Sequence, residues 1–369
     1  MKPKAVVCGT TFGRIYLAAL QRDDQPYQLA GIVARGSPRS RQLAEDAGVP
    51  LYPSIAALPD DIALGCVVIR SGMVGGAGTE MAQALLARKI SVIQEHPVHS
   101  GELAPCLRSA RSHGAQYRLN TLYPETAPVR RYLAQVRRLA RLEPPLFIDA
   151  VAGVQIGCAL LDILGHALGG LRPFAFGTPA VPPPGQALPY RSIDGTLHGV
   201  PLHLRLQYQM DLRDPDNYFH LMHRITVGFP SGNLCLHDTH GPVLWARRFH
   251  VPRVDIGAAR LEVQLDAGAV AAIPMVRAIG PSHGASLHAI LTDLWPAAIA
   301  RQLRQIEADQ RAQRDPLHAG QRSLDLCLAW EALTDRLGPP AYSSLTSLDR
   351  ADATAAEAVL LDESAEQTP

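Results

Sequence analysis

KAVVCGTTFGRIYLAALQR, residues 4–22, holds a short apolar run, a glycine turn and an apolar-periodic segment in that order. Strand, turn and helix in this succession open a dinucleotide-binding βαβ unit, in which backbone N–H groups and a helix N-terminus face a pyrophosphate. The usual G-x-G-x-x-G spacing wants glycines at 9, 11 and 14, whereas this chain has Gly9, Thr11 and Arg14, with Gly13 one place early. Taken alone, the turn reads first as a plain strand–helix connection. As a cofactor site it would use Gly9, Thr10, Thr11, Phe12 and Gly13.

The next segment strengthens the cofactor reading. A second apolar run, YQLAGIVA (27–34), leads into RGSPRSRQLAEDAG (35–48), where a ribose-binding Asp or Glu normally stands. That acid is missing. Arg35, Gly36, Ser37, Arg39 and Ser40 occupy the region instead. Arginine and serine suit a 2′-phosphate through charge-assisted hydrogen bonds, so NADPH is favoured over NADH. The same residues also read as a solvated helix start with Ser37 or Ser40 as N-cap, and both readings can hold together.

Further along come GCVVIRS (65–71), the glycine-rich MVGGAGTE (73–80), a helix EMAQALLARK, and ISVIQEHP (90–97). A helix over 100–113 and a strand over 115–121 complete the unit. Alternating β and α elements predict a parallel Rossmann-type sheet with helices on both faces, here residues 1–122. Arg70, Ser71 and Glu95, at strand ends, complete the candidate cofactor residues.

Composition excludes several classes of function. The 35 basic residues nearly cancel the 34 acidic ones, which argues against a nucleic-acid or polybasic membrane partner. Only Lys2, Lys4 and Lys89 are lysines, so no lysine chemistry is available in the second half of the chain. The six cysteines are scattered, without CxxC pairs, and no stretch of ~18 apolar residues occurs. A reduced, cytoplasmic globular protein is the expectation.

At EHP (Glu95 to Pro97) the chain resembles the glucose–fructose oxidoreductase and inositol dehydrogenase family, in which a strand ends in E-K-P and the lysine is usually catalytic. Here His96 replaces that lysine. GTTFG–RIYL, ARGSPRS, VVIRS–GGAGT, VIQEHPVH and NTLYPET together resemble one branch, the thiazolinyl imine reductases of siderophore assembly lines. The likeness continues into DPDNYFHLMHR (214–224), GFPSGNL and GPVLW. This resemblance implies NADPH-dependent reduction of a thiazoline C=N bond, giving a thiazolidine. It also implies a substrate tethered to the carrier domain of a nonribosomal peptide synthetase.

Imine reduction needs a hydride at carbon and a proton at nitrogen. His96 lies at a strand's carboxyl end and suits proton transfer near neutrality. Tyr123, in NTLYPET, matches the branch's second implicated residue, and the two are taken to share the proton-transfer role. The alternatives are a tyrosine packed on Pro124 and a histidine that only orients the cofactor. Asp162 and His166, at i and i+4 in GCALLDILGHALGG, resemble an element that sugar-oxidising relatives use beside their lysine. In so apolar a stretch they read first as part of a core-facing helix. His99, His220 and His223 read as surface or core histidines, and no ligand spacing predicts a metal site.

Residues 123–349 read as an α+β domain with a mostly antiparallel open sheet, which in the family often forms a homodimer. The helix APVRRYLAQVRRLARLE places Arg130, Arg137, Arg138 and Arg141 near one face, either a solvated stripe or a docking face for an acidic carrier domain. The segment PFAFGTPAVPPPGQALPYR (173–191) is expected to be a loop, helices are expected over 157–169, 283–310 and 318–337, and 350–369 is expected to form an acidic tail.

Overall fold

The computed structural model describes residues 2–69, 76–181, 189–211, 213–214, 219–257, 261–263, 272–342 and 358. Arg70, Ser71 and nearly all of 350–369 therefore lie outside the described residues.

Six parallel strands build the first sheet: β1 (Lys4–Cys8), β2 (Gln28–Val33), β3 (Leu51–Tyr52), β4 (Ile62–Val67), β5 (Ser91–Glu95) and β6 (Tyr117–Asn120). Their order is β3-β2-β1-β4-β5-β6, so the direction of winding reverses between β1 and β4. Ligands of open α/β sheets bind outside the carboxyl ends of the strands at such a point. Helices α1 (Gly13–Leu20), α2 (Pro38–Asp46), α3 (Gly78–Ala87) and α4 (Ser100–His113) provide the crossovers.

The misplaced glycine has a local explanation. Gly13 opens α1, and a Cβ there would lie 3.1 Å from Val7 Cγ1, so the helix sits close against β1. Gly9 makes the turn itself: its φ is +103°, and a Cβ would fall 2.3 Å from the Val68 carbonyl oxygen.

After α5 (Ala127–Ala140) the chain forms β7 (Phe147–Gly153), α6 (Gly157–Leu168), β8 (Phe174–Phe176), β9 (Tyr190–Leu197), β10 (Val200–Gln207) and β11 (Gln209–Met210). It continues through β12 (His223–Phe229), β13 (Gly232–Leu236), β14 (Val243–Arg247), β15 (Arg253–Asp255), β16 (Leu261–Val263) and β17 (Val276–Ala278). Eight of these strands form one sheet, ordered β17-β14-β13-β12-β7-β10-β9-β8, antiparallel except where β10 pairs with β7. β10 alternates buried Leu202, Leu204 and Leu206 with exposed Pro201, His203 and Arg205, the pattern of a sheet covered on one face.

The structure corrects the proline-rich segment at its two ends. Phe174–Phe176 is an edge strand paired with β9, which itself begins at Tyr190, before the expected loop ends. Prolines are tolerated beside a strand with a neighbour on one side only. The expected helix over 283–310 starts later, as α7 (Leu287–Ala289), and passes through a π-helical turn (Ile290–Leu294) into α8 (Trp295–Arg311). Last come α9 (Pro316–Leu337) and β18 (Ala341–Tyr342), which pairs with β11.

Both long C-terminal helices return to the first sheet's layers, α8 against α1 and α9 against α4, and α9 also packs on α6 of the second region. Glu331 of α9 accepts from the Ser100 N–H (2.5 Å) and hydroxyl (2.8 Å), placing a carboxylate at the N-terminus of α4.

Candidate active site

At the carboxyl end of β1 the Gly9–Phe12 turn meets an α1 N-terminus that no side chain caps. Its first N–H groups are thus available to an anion, and no Cβ crowds the approach at Gly9. At the end of β2, Ser37 caps α2 by accepting from the Ser40 N–H at 3.2 Å, so the N-cap reading holds for Ser37. Ser40 is buried and bonds back to the Ser37 carbonyl at 2.9 Å. Arg35 and Arg39 are exposed beside it. Arg41 was not singled out in the sequence, yet its guanidinium reaches over Gly36, 3.8 Å from where a Cβ would stand. Glycine turn, bare helix end and three arginines fit a nicotinamide dinucleotide.

At the ends of β5 and β6 a buried network forms. Tyr16 of α1 donates its hydroxyl to Glu95 Oε2, and Asn120 Nδ2 donates to the Tyr16 oxygen at 2.6 Å and to Glu95 Oε2 at 3.1 Å. Burial, then the charge of Glu95, pushes the Tyr16 hydroxyl well above the usual tyrosine range, so it stays a donor. Glu95 therefore commits its carboxylate within the protein. His96 Nδ1 lies 3.2 Å from Glu95 Oε1 and 3.2 Å from the Asn120 carbonyl. Both are acceptors, so Nδ1 carries the hydrogen, and a neutral His96 keeps its lone pair on Nε2.

Tyr123 follows directly. It is buried, and its ring meets His223 edge-on at 4.9 Å and Trp295 at 6.2 Å. Trp295 also touches Phe12 of the glycine turn (5.7 Å) and donates Nε1–H to His240 Nε2 at 3.1 Å. His240 Nδ1 in turn faces Asp238 Oδ1 at 3.3 Å. His223 is fully buried between Thr239 Oγ1 (2.8 Å) and the Ile156 carbonyl (3.1 Å). Burial lowers its pKa to about 4. His223 is thus a neutral wall behind Tyr123, in keeping with its reading as a core histidine.

Asp162 and His166 face a different place. Asp162 Oδ2 accepts from Thr121 at 2.6 Å, and Oδ1 lies 3.6 Å from His166 Nε2 and 4.0 Å from Arg322 Nε. Both residues line a cavity of about 110 Å³ with Arg118, Gln302 and Arg322. His99 caps α4 by accepting from the Gly101 N–H at 3.0 Å. Among the described residues no group of three or more His, Cys, Asp or Glu could hold a metal, and no helix is long and apolar enough to cross a membrane.

Comparison with known proteins agrees with this layout. Residues 4–121 match the oxidoreductase family with an NAD-binding Rossmann fold, and residues 143–246 match the C-terminal region of the Irp3-like thiazolinyl imine reductases. No match was found among curated proteins. A variant of KijD10, a 3-ketoreductase from Actinomadura kijaniata in complex with TDP-benzene and NADP, shares the fold at TM-score 0.65. That alignment is 15% identical and covers 93% of this chain and 100% of the other. UDP-N-acetylglucosamine 3-dehydrogenase GnnA from Acidithiobacillus ferrooxidans aligns at TM-score 0.59 and 18% identity, over 90% of this chain and 98% of its own. An Agrobacterium radiobacter oxidoreductase in complex with NAD+, L-tartaric acid and magnesium gives 0.61 and 13%, over 90% and 95%. At these identities the likeness is one of fold. With the glycine turn, the EHP strand end and the Irp3-like second region all in place, the first region matches the glucose–fructose oxidoreductase and inositol dehydrogenase family, the second matches its thiazolinyl imine reductase branch, and the chain is an NAD(P)-dependent oxidoreductase.

Proposed function

We propose that this protein uses NADPH to reduce the C=N bond of a thiazoline to a thiazolidine, on an intermediate held as a thioester by a carrier domain of a nonribosomal peptide synthetase. The observation that carries the reading is His96, in place of the family's lysine, held at the end of β5 against the Asn120 carbonyl three residues before Tyr123, in a chain whose second region is Irp3-like. When bound, the nicotinamide supplies a hydride. The chain's own residues must place the imine, exclude water and deliver one proton to nitrogen.

Two groups can deliver it. The Tyr123 hydroxyl is one. His96 is the other, but because Nδ1–H is committed to Glu95 and Asn120, it donates from Nε2 only in its protonated form. A neutral His96 instead offers Nε2 as an acceptor that can orient a hydroxyl or receive a proton. The aromatic wall of Trp295 and Phe12 closes one side of Tyr123 and limits water.

A sugar or cyclitol oxidoreductase is the second reading, favoured by the sugar-acting proteins that share the fold. The absent lysine and the capture of Asp162 by Thr121 and Arg322 count against it. A catalytically silent NADP-binding subunit is the third. A single-turnover experiment separates them: NADPH, protein and a thiazoline-bearing carrier thioester are mixed, and product mass is read. A gain of two hydrogens supports the first reading. Oxidation of polyols with NADP+ supports the second, and tight NADPH binding without turnover the third.

Two partners belong to this reading. Arg130, Arg138 and Arg141 are exposed along α5, directly after Tyr123, and would meet an acidic carrier domain. Arg137 is also exposed but donates to the His166 carbonyl at 3.0 Å, so it is partly committed to the end of α6. The open face of the second sheet presents Asp149, Asp194, His203 and Arg205, and would form the homodimer. Charge reversal at Arg138 and Arg141 should raise KM for a carrier-bound substrate and not for a small soluble analogue. A monomer in analytical ultracentrifugation would remove the dimer.

A further inference from the structure

Asn120 is fully buried, and its side chain acts in two directions. Its Oδ1 accepts the Leu122 N–H at 3.1 Å. Leu122 has φ +63° and ψ −60°, a conformation that a branched L-residue rarely adopts. The kink turns the chain out of β6 immediately before Tyr123. Because Oδ1 is taken by a backbone donor, the amide cannot flip, and Nδ2 must face the Tyr16 hydroxyl and Glu95 Oε2. Tyr16 and Asn120 thereby occupy Oε2, leaving Oε1 to accept from His96 Nδ1.

We propose that Asn120, assisted by Tyr16, is a positioning residue that sets both proton-handling groups at once, the backbone kink before Tyr123 and the Nδ1–H tautomer of His96. A single amide thus couples the geometry of one to the protonation pattern of the other. The proposal rests on His96 and Tyr123 being the proton-handling pair, but the tautomer can be measured without substrate.

The test uses full-length protein labelled with ¹⁵N-histidine, its His96 signals identified by their loss in His96→Gln. Wild-type protein should show Nδ1 protonated and Nε2 bare above the imidazole titration. Glu95→Gln alone sets an amide N–H₂ against that of Asn120. The new side chain then rotates, presents nitrogen to His96 and moves the hydrogen to Nε2. Asn120→Asp alone opposes two carboxylates and disturbs the same signal. The double variant Glu95→Gln/Asn120→Asp restores the connectivity, with Gln donating to Asp and accepting from His96, and should regain the Nδ1–H signature. Tyr16→Phe, the mildest change, should shift the spectrum part-way.

With an active substrate, kcat should fall at least ~10-fold in each single variant, within the ~10²–10⁴-fold that positioned proton transfer contributes. It should recover in the double variant, and the circular dichroism spectrum verifies folding in each variant. An unaltered His96 spectrum in Glu95→Gln and Tyr16→Phe overturns the proposal, as does a double variant no better than the singles. If thiazolines are not substrates, the spectra still decide, so failure of the proposed function and failure of this inference are told apart.

Discussion

Thr121 donates a hydrogen bond of 2.6 Å to Asp162, joining the end of the nucleotide-binding sheet to α6 of the second region. That bond engages a carboxylate whose spacing from His166 imitates the substrate-handling pair of sugar-oxidising relatives. Asp162→Asn should therefore act on stability. One partly buried charge-assisted hydrogen bond contributes about 1.5–3 kcal/mol. A fall in thermal stability with kcat retained is the expected result, and a collapse of kcat at unchanged stability would return Asp162 to the catalytic set.

Removing either of the two proposed proton-handling groups should separate chemistry from binding. Tyr123→Phe keeps the edge contacts with His223 and Trp295 and deletes only the hydroxyl. Its kcat should drop ~10²-fold or more with NADPH affinity intact. His96→Ala should lose activity as well. Wild-type turnover at every pH in both variants would show that the proton comes from elsewhere.

Arg35, Arg39 and Arg41 stand exposed around Gly36 and the capped start of α2. Each lost hydrogen bond from a charged group to a 2′-phosphate should weaken NADPH binding by about tenfold. Binding of NADH should barely change. Isothermal titration with both cofactors checks this, and equal losses would dismiss the 2′-phosphate contact.

His223 makes stability depend on acidity. Its pKa is lowered to about 4 by burial in the folded protein, against an ordinary value near ~6.5 in the unfolded chain. As pH falls through that window the unfolded chain binds a proton that the folded protein refuses. The stability present above pH ~6.5 is therefore lost progressively, by about 3 kcal/mol on reaching pH ~4. His223→Asn should start less stable at neutral pH and show a flatter decline of Tm with acidification.

The repeating part of the molecule was legible in the sequence, and its irregular parts were not. Apolar runs such as KAVVC and ISVIQE fall into β1 and β5, and HRITVGF gives β12, because burial on a sheet imposes a visible pattern. β8 and β9 escaped notice: FAF sits between prolines, and YRSIDGTL, one strand in from the sheet's edge, mixes charges with a glycine. Among the site residues, His96 and Tyr123 were visible through motifs at strand ends. Tyr16 and Asn120 were not, since one reads as a core residue of an amphipathic helix and the other as part of a strand. Trp295, whose ring touches both Phe12 and Tyr123, is brought there only by folding across most of the chain. The Asp162 pairing was hidden likewise, because Thr121 and Arg322 come from distant segments.

The return of α8 to the first sheet also bears on how the chain is made. Gln310 accepts from the Tyr27 hydroxyl and donates to Ser91 Oγ at 2.6 Å, while Gln116 Nε2 donates to the Arg314 carbonyl at 2.7 Å. Arg118 meets the buried Asp309 at 2.5 Å. All four of these sheet-side residues leave the ribosome long before their partners on α8 and just beyond it are translated. A nascent chain halted after β6 has every strand of its Rossmann sheet, yet its lower rim and the flank of α1 await residues that do not yet exist. Folding of the Rossmann region is completed by helices translated long after it, and during the interval that rim is the surface a chaperone or a neighbouring nascent chain would meet.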